Sequence, residues 1–495
     1  MNTVIGIDLG TQALKVVFHD VDRREVVAVE NAPLELYQND DGVAEQQYHW
    51  WLTALKDAFA RVDPDVRKSA RAVAVSGQQH GFVAVDEADE VLAPVKLWCD
   101  TSTEKECADI MHDFGGVEAC IEQAGNPILP GYTASKIRWL RDAQPRGYEK
   151  LDGILLPHDF MNLHLTGERC MEMGDASGTG FLDIRKRRWS ESMLHVIDPD
   201  RDLAACLPPL RQDNEAIGDV RRSVAEELGL PVGIPVAIGG GDNMMGAIGT
   251  GNVRPGNMTM SLGTSGTVYA YADEPIVDPK GNIAAFCSST GGWLPLLCTM
   301  NCTVTTELMR DLLGADLAAF EAQINRAPRG SDGVLTLPFF NGERTPNLPN
   351  ARGCIIGLNT RNMKPDNLLR SAVEGATFAL RFGIDELAAL GVAATSIVLT
   401  GGGVKSDKWR QLVADICNFP VTVYEQDEGA AFGAALQAMQ LLEPGASIGE
   451  LVDANLTRDG ERSCEPRRAA VRHYEEAYGE YQNAVAAISS LYTDT

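Results

Sequence analysis

Ile5-Gly6-Ile7-Asp8-Leu9-Gly10-Thr11 and Met260-Ser261-Leu262-Gly263-Thr264-Ser265-Gly266 are two copies of one pattern, an apolar strand running into a Leu-Gly-Thr turn. One opens the first half of the chain and the other opens the second. A further matched pair follows the same logic. Val236-Ala237-Ile238 runs into Gly239-Gly240-Gly241-Asp242, and Ile397-Val398-Leu399 into Thr400-Gly401-Gly402-Gly403. Glycine lets backbone N–H groups approach and ring phosphate oxygens, and a threonine hydroxyl adds one more donor. A single turn of this kind is weak evidence. Four in two matched sets predict a duplicated α/β domain with a phosphate ligand clamped between the copies.

Outward from these turns the same element order recurs. Residues 3–9, 14–19 and 25–29 read as an antiparallel meander. Residues 47–62 carry Trp51, Ala54, Leu55, Ala58, Phe59 and Val62 at helical spacing, and 72–76 is a strand ending in Gly77-Gln78-Gln79-His80-Gly81. In the second half, strands 257–262 and 267–271 lead to a long amphipathic helix at 368–390. Strand 396–400 and a helix at 406–418 with Ser406 as N-cap follow. Strand 420–424 and helix 428–442 then complete an α/β unit. The least regular stretch, 101–235, reads as an elaboration on the first domain. The expected division is an N-terminal domain at 1–250, a C-terminal domain at 257–445, and a helical tail at 446–495 packing on both.

A chain of 495 residues is too long for one core, which agrees with two large domains. The net charge of −26 argues against nucleic-acid or anionic-membrane partners, since either needs a basic face. It leaves room for a nucleotide held by amides, metal and a few local cations. Eleven scattered cysteines without a CxxC pair read as reduced thiols, and Cys298 and Cys302 lack further zinc ligands nearby. The first apolar run is broken by Asp8 and has no basic residues before it, so it is a strand rather than a signal peptide. No apolar run reaches membrane-spanning length. A cytoplasmic protein is expected.

The P-loop, the protein-kinase motif set and the Rossmann GxGxxG are all missing. Asp8-Leu9-Gly10-Thr11, the 261–266 turn and Thr400–Gly403 instead resemble the two phosphate motifs and the adenosine motif of the actin/hexokinase/Hsp70 ATPase superfamily. Gly77–Gly81, Leu97-Trp98-Cys99-Asp100, Gly239–Asn243, Gly342-Glu343-Arg344-Thr345-Pro346 and Trp409-Arg410-Gln411 narrow the resemblance to the FGGY carbohydrate kinases. The match runs in order along nearly the whole chain. It implies two ribonuclease-H-like domains with a cleft between them, and ATP and Mg²⁺ as cofactors.

The resemblance assigns roles residue by residue. Asp242 becomes the catalytic base, taking the proton of a sugar hydroxyl as that oxygen attacks the γ-phosphate. Read alone, Asp242 also suits the N-cap of helix 243–250, and both roles can hold at once. Asp8 would meet Mg²⁺ through water, where a satisfied turn aspartate is the plain alternative. Gly10, Thr11, Gly263 and Thr264 would bind the ATP phosphates, and Gly402 and Gly403 the adenosine side. Gln79, His80, Asp100 and Asp242 would contact the sugar, with Trp98 as an apolar wall. Gln79 departs from the family's usual Met, and Gln12 from its usual Ser or Thr. Arg344 and Lys15 are candidate counter-charges, although Lys15 in a solvated hairpin reads more simply as surface.

Within the family the pattern is most similar to members acting on D-xylulose at its 5-hydroxyl, and it implies that activity. Kinases of ribulose, glycerol or gluconate are the alternative. A non-catalytic sugar or nucleotide sensor and an actin- or chaperone-like ATPase are the competing classes. Retention of Asp8 and Asp242 argues against the first, and the sugar-side residues argue against the second. Family members are often dimers, so the resemblance allows a homodimer.

Overall fold

A computed structural model describes residues 1–211 and 215–492. The chain forms two compact units. The first comprises Met1–Arg254, Ala272–Leu294 and Glu428–Leu456; the second comprises Pro255–Tyr271, Pro295–Asp427 and Thr457–Thr495.

The central sheet of the first unit is ordered Ala216–Asp219, Pro235–Ala237, Ala70–Gly77, Thr3–Leu9, Ala13–Asp20, Glu25–Pro33. Thr3–Leu9 pairs antiparallel with Ala13–Asp20 and parallel with Ala70–Gly77. Its apolar run is covered on both faces, as buried parallel strands require. Side chains alternate across a strand. Ile5, Ile7 and Leu9 therefore join Trp51, Leu55 and Phe59 of helix Tyr48–Arg61 in one core. Gly6, on the opposite face, lies under helix Gly429–Leu442, where an added Cβ would sit 1.8 Å from the Ala431 carbonyl oxygen. The same helix crosses Asp242–Gly249 so closely that a Cβ at Gly433 would fall 1.8 Å from the Met245 carbonyl oxygen. Small residues along Gly429–Leu442 permit both approaches.

The second unit repeats the plan. Its sheet runs Leu296–Thr299, Gly266–Ala270, Gly256–Leu262, Ala394–Thr400, Val421–Thr422. As in the first unit, three antiparallel strands are followed by parallel ones. This is the duplicated α/β plan expected from the matched turns, and it fits the ribonuclease-H-like domains that the resemblance implies. Helix Pro365–Ala389 carries Phe378, which packs against Tyr474, Tyr478 and Tyr481 of the terminal helix Arg468–Ser489.

The compact units differ from the expected division at two places. The helix expected to complete the second domain, 428–442, packs on the first unit's sheet, because its small residues fit against Gly6 and the helix carrying Met245. The expected tail of 446–495 is accordingly split at Leu456. Residues 272–294 also belong to the first unit. The Asn126 side chain bridges both backbone groups of Ala285 at 2.8 Å, and Trp293 Nε1 donates to the Ile184 carbonyl at 3.0 Å. The irregular stretch 101–235 is an elaboration with its own core, which includes Ile110, Ile137, Phe181 and Ile197.

All eleven cysteines are free thiols. Among the described residues no helix is long and apolar enough to cross a membrane.

Candidate active site

Three adjacent parallel segments of the first unit end together. Asp8 is in register with Ser76, Leu9 with Gly77, and Gly240–Gly241 with Ser76–Gly77. Ligands in open α/β sheets bind at such carboxyl ends. The register gathers Asp8, Gln78, Gln79 and Asp242 at one edge.

Asp242 is the first residue of helix Asp242–Gly249, and Gly241 occupies the N-cap position. Its carboxyl is thus not the cap, and the residue is half-buried. Burial of its surroundings, then the charges of Asp8 and Asp175, push it up to about 8. Asn243 Nδ2 donates to Asp242 Oδ1 at 3.0 Å and to Gln79 Oε1 at 2.8 Å. Both amide protons of Asn243 are used, which fixes one carboxyl oxygen of Asp242 and leaves the other to act on a ligand.

Asp8 is half-exposed and accepts from Ser76 Oγ at 2.8 Å through Oδ1. Burial raises its pKa, and Ser76 and Lys15 oppose the rise. Lys15 faces Asp8 across the hairpin and pairs with Glu428 at 2.9 Å. Among the described residues no group of three or more His, Cys, Asp or Glu could enclose a metal ion. Asp8 and its free second oxygen suit a hydrated Mg²⁺, which needs only one or two carboxylates.

His80 is buried less completely than Gln79 and has φ +65. Its ring lies 4.9 Å from that of Tyr132 and 5.8 Å from that of Phe286, over Gly178, where a Cβ would fall 1.9 Å from Nδ1.

Two expected site residues take different roles. Asp100 is fully buried, and its oxygens accept four hydrogen bonds. Ala44 N–H and Lys96 Nζ reach Oδ2, and Ser102 N–H and Oγ reach Oδ1. A carboxylate so filled has no acceptor left for a sugar hydroxyl. The Thr11 hydroxyl donates to Gln78 Oε1 at 3.0 Å and accepts from Trp98 Nε1 at 2.9 Å. Gln78 Nε2 continues to Gln46 Oε1, and Gln46 Nε2 returns to the Thr11 carbonyl, closing a ring. Trp98 is thereby a hydrogen-bond partner of the first turn, and Gln12 is exposed at the tip of that turn.

Sequence reasoning missed a buried network packed against Gly77. His158 Nδ1 lies 2.6 Å from Asp175 Oδ2, and Nε2 lies 3.1 Å from Asp159 Oδ1. Burial works against the imidazolium, but Asp159 and Asp175 outweigh it and push His158 up to about 9. Asp159 is the next residue in the chain and Asp175 lies 17 positions on, but nothing in that spacing announced the network.

In the second unit, Ser261 and Thr400 form the last pair in register between adjacent parallel strands. Gly401 backs onto the Leu262 backbone and Gly403 onto its side chain, which joins the two turns. Thr264 is exposed, and the space beside Gly402 is open. The Gly263 and Thr264 carbonyls accept from Thr303 N–H and Cys302 N–H at the start of helix Thr303–Leu312. Near Arg344, the buried Glu343 accepts from Met300 N–H, Arg344 N–H and Asn301 Nδ2.

Comparison with known proteins matches both halves. Residues 3–249 match the N-terminal domain, and 258–441 the C-terminal domain, of the FGGY family of carbohydrate kinases. A protein of Haemophilus influenzae named xylulose kinase is 40% identical over 99% of this chain and 100% of its own length. One from Escherichia coli with the same name is 34% identical over 90% and 92%. The crystal structure of a "xyloylose kinase" from Brucella ovis superposes with a TM-score of 0.92 at 30% identity, covering 99% of this chain and all of that one. With two matched domains in order along the whole chain, this protein belongs to the FGGY family of carbohydrate kinases.

Proposed function

We propose that this kinase transfers the γ-phosphoryl group of ATP to the 5-hydroxyl of D-xylulose, giving D-xylulose 5-phosphate and ADP. The names of the Haemophilus influenzae and Escherichia coli relatives support the substrate. The observation that carries the chemistry is the half-buried Asp242, its carboxyl held by Asn243 at the end of the glycine turn with a raised pKa near 8. A base whose pKa lies near the working pH accepts a proton efficiently in the transition state.

In this reading the free Asp242 oxygen takes the hydroxyl proton as the sugar oxygen bonds to the γ-phosphorus. The bond from that phosphorus to the β–γ bridging oxygen breaks, and ADP leaves. Gln79 and His80 bind the sugar in the first unit. Gly263, Thr264, Gly402 and Gly403 bind the nucleotide in the second, and the Gly10–Gln12 turn adds phosphate contacts. Asp8 would hold Mg²⁺ through retained water, and that ion would neutralise charge on the phosphates. A cytoplasmic location accords with the free thiols.

The test is an ADP-release assay with a panel of ketoses and polyols. D-xylulose should give the highest kcat/KM. A higher value with ribulose, glycerol or gluconate would replace the substrate while keeping the kinase.

A further inference from the structure

Gly81 N–H donates to the Gln79 carbonyl at 2.9 Å, closing a three-residue turn with His80 at its centre. The φ of +65 at His80 makes it the rare, strained form of that turn. A non-glycine residue stays in this region only where its surroundings over-determine it. The polar part of the surroundings is the start of one helix, Thr133–Ala143. The His80 carbonyl accepts from Lys136 Nζ at 2.7 Å and from Thr133 Oγ1 at 3.2 Å, and the preceding residue, Tyr132, packs on the His80 ring.

Lys136 is an unusual choice for a purely structural clamp. It is fully buried, and it has no ion-pair contact with a carboxylate among the described residues. Its second hydrogen bond goes to another backbone carbonyl, that of Gly131, at 2.7 Å. Burial pushes the ammonium down to about 7 despite the more distant charge of Asp100. Keeping a cation here costs stability, and one of its two short bonds holds the carbonyl of His80, the strained residue next to Gln79.

We propose that Lys136, assisted by Thr133, is a positioning residue that holds the strained His80 turn and so aims Gln79 and His80 at the sugar. This rests on the reading that those two residues contact the sugar. Lys136 itself touches neither substrate.

The test is steady-state kinetics of the full-length enzyme with Lys136→Met, Thr133→Val and His80→Ala, alongside melting temperatures. Lys136→Met should raise the sugar KM about tenfold, equivalent to roughly 1.4 kcal/mol of lost sugar binding, with the ATP KM within about twofold. Thr133→Val should move the sugar KM the same way by a smaller factor. In a His80→Ala background, Lys136→Met should still raise the sugar KM but by a smaller factor, because the backbone carbonyl it holds remains and only its effect through Gln79 is left. A change in kcat alone that tracks a fall in melting temperature, or equal rises in both KM values, would overturn the positioning role. Should Lys136→Met fail to fold, an unchanged sugar KM in Thr133→Val would do the same. An unchanged sugar KM in His80→Ala would instead overturn the sugar contact on which the proposal rests.

Discussion

Asp242 lies within the electrostatic field of Asp8. Burial first, and then the Asp8 carboxylate, push the Asp242 carboxyl up to about 8. A base must be deprotonated to accept, so kcat/KM for the sugar should rise with pH through that value. Asp8→Asn removes a like charge and should move the rising limb to lower pH. A pH–rate profile that is flat from about pH 6 to 9, or a limb unmoved by Asp8→Asn, would count against Asp242 as the base.

The same carboxyl sets a trade between activity and stability. Its folded-state pKa lies well above the ordinary aspartate value of 3.8, so the native state binds the proton more tightly than the unfolded chain. Ionisation therefore costs stability as pH rises from about 4 to about 8. Asp242→Asn should lose at least ~100-fold in turnover. It should also melt at a higher temperature than wild type near pH 8.5, the gap closing towards pH 4, as followed by calorimetry.

The hydrogen-bonded ring through Thr11, Gln78 and Gln46 makes a different forecast for the first turn. Thr11→Val leaves Gln78 Oε1 without its donor and should cost about 1–3 kcal/mol of stability. Thr11→Ser should recover most of it. The ATP KM should change less than about twofold. A large rise in that KM with an unchanged melting temperature would return the hydroxyl to the phosphates.

Gly433→Ala should destabilise strongly, since its Cβ would fall 1.8 Å from the Met245 carbonyl oxygen, and overpacking typically costs about 1–3 kcal/mol. Gly460→Ala, with nothing within 4 Å, is the control and should be near neutral. Chemical denaturation of the two variants compares them directly.

Local patterns were a sound guide wherever the determinant was local. The apolar runs before Gly10 and Gly263 mark strands Thr3–Leu9 and Gly256–Leu262, and the spacing from Trp51 to Phe59 marks helix Tyr48–Arg61. The glycine turn before Asp242 lies where the motif put it. Composition could not say which face the helix after Glu428 would cover, because that depends on Gly6, more than 400 residues away in sequence. Asp100 carried the motif's polarity, and although Lys96 and Ser102 are its neighbours in sequence, only the fold buries the group and brings Ala44 onto it. The pairing of His158 with Asp175 and of Lys136 with the His80 carbonyl had no local signal, since each joins two separate elements.

The helix at Gly429–Leu442 has a consequence for the order in which the molecule can be built. The first unit is not finished when its first 254 residues have been made, because the element covering Gly6 lies beyond residue 428. During synthesis one face of its sheet stays bare until most of the chain has left the ribosome. A fragment ending near residue 254 should therefore bind dyes for exposed apolar surface and melt without a sharp transition. Supplying residues 428–456 as a separate peptide should restore cooperative melting. The duplicated turns are written early in each half, but the first half is not a finished folding unit in the order of the gene.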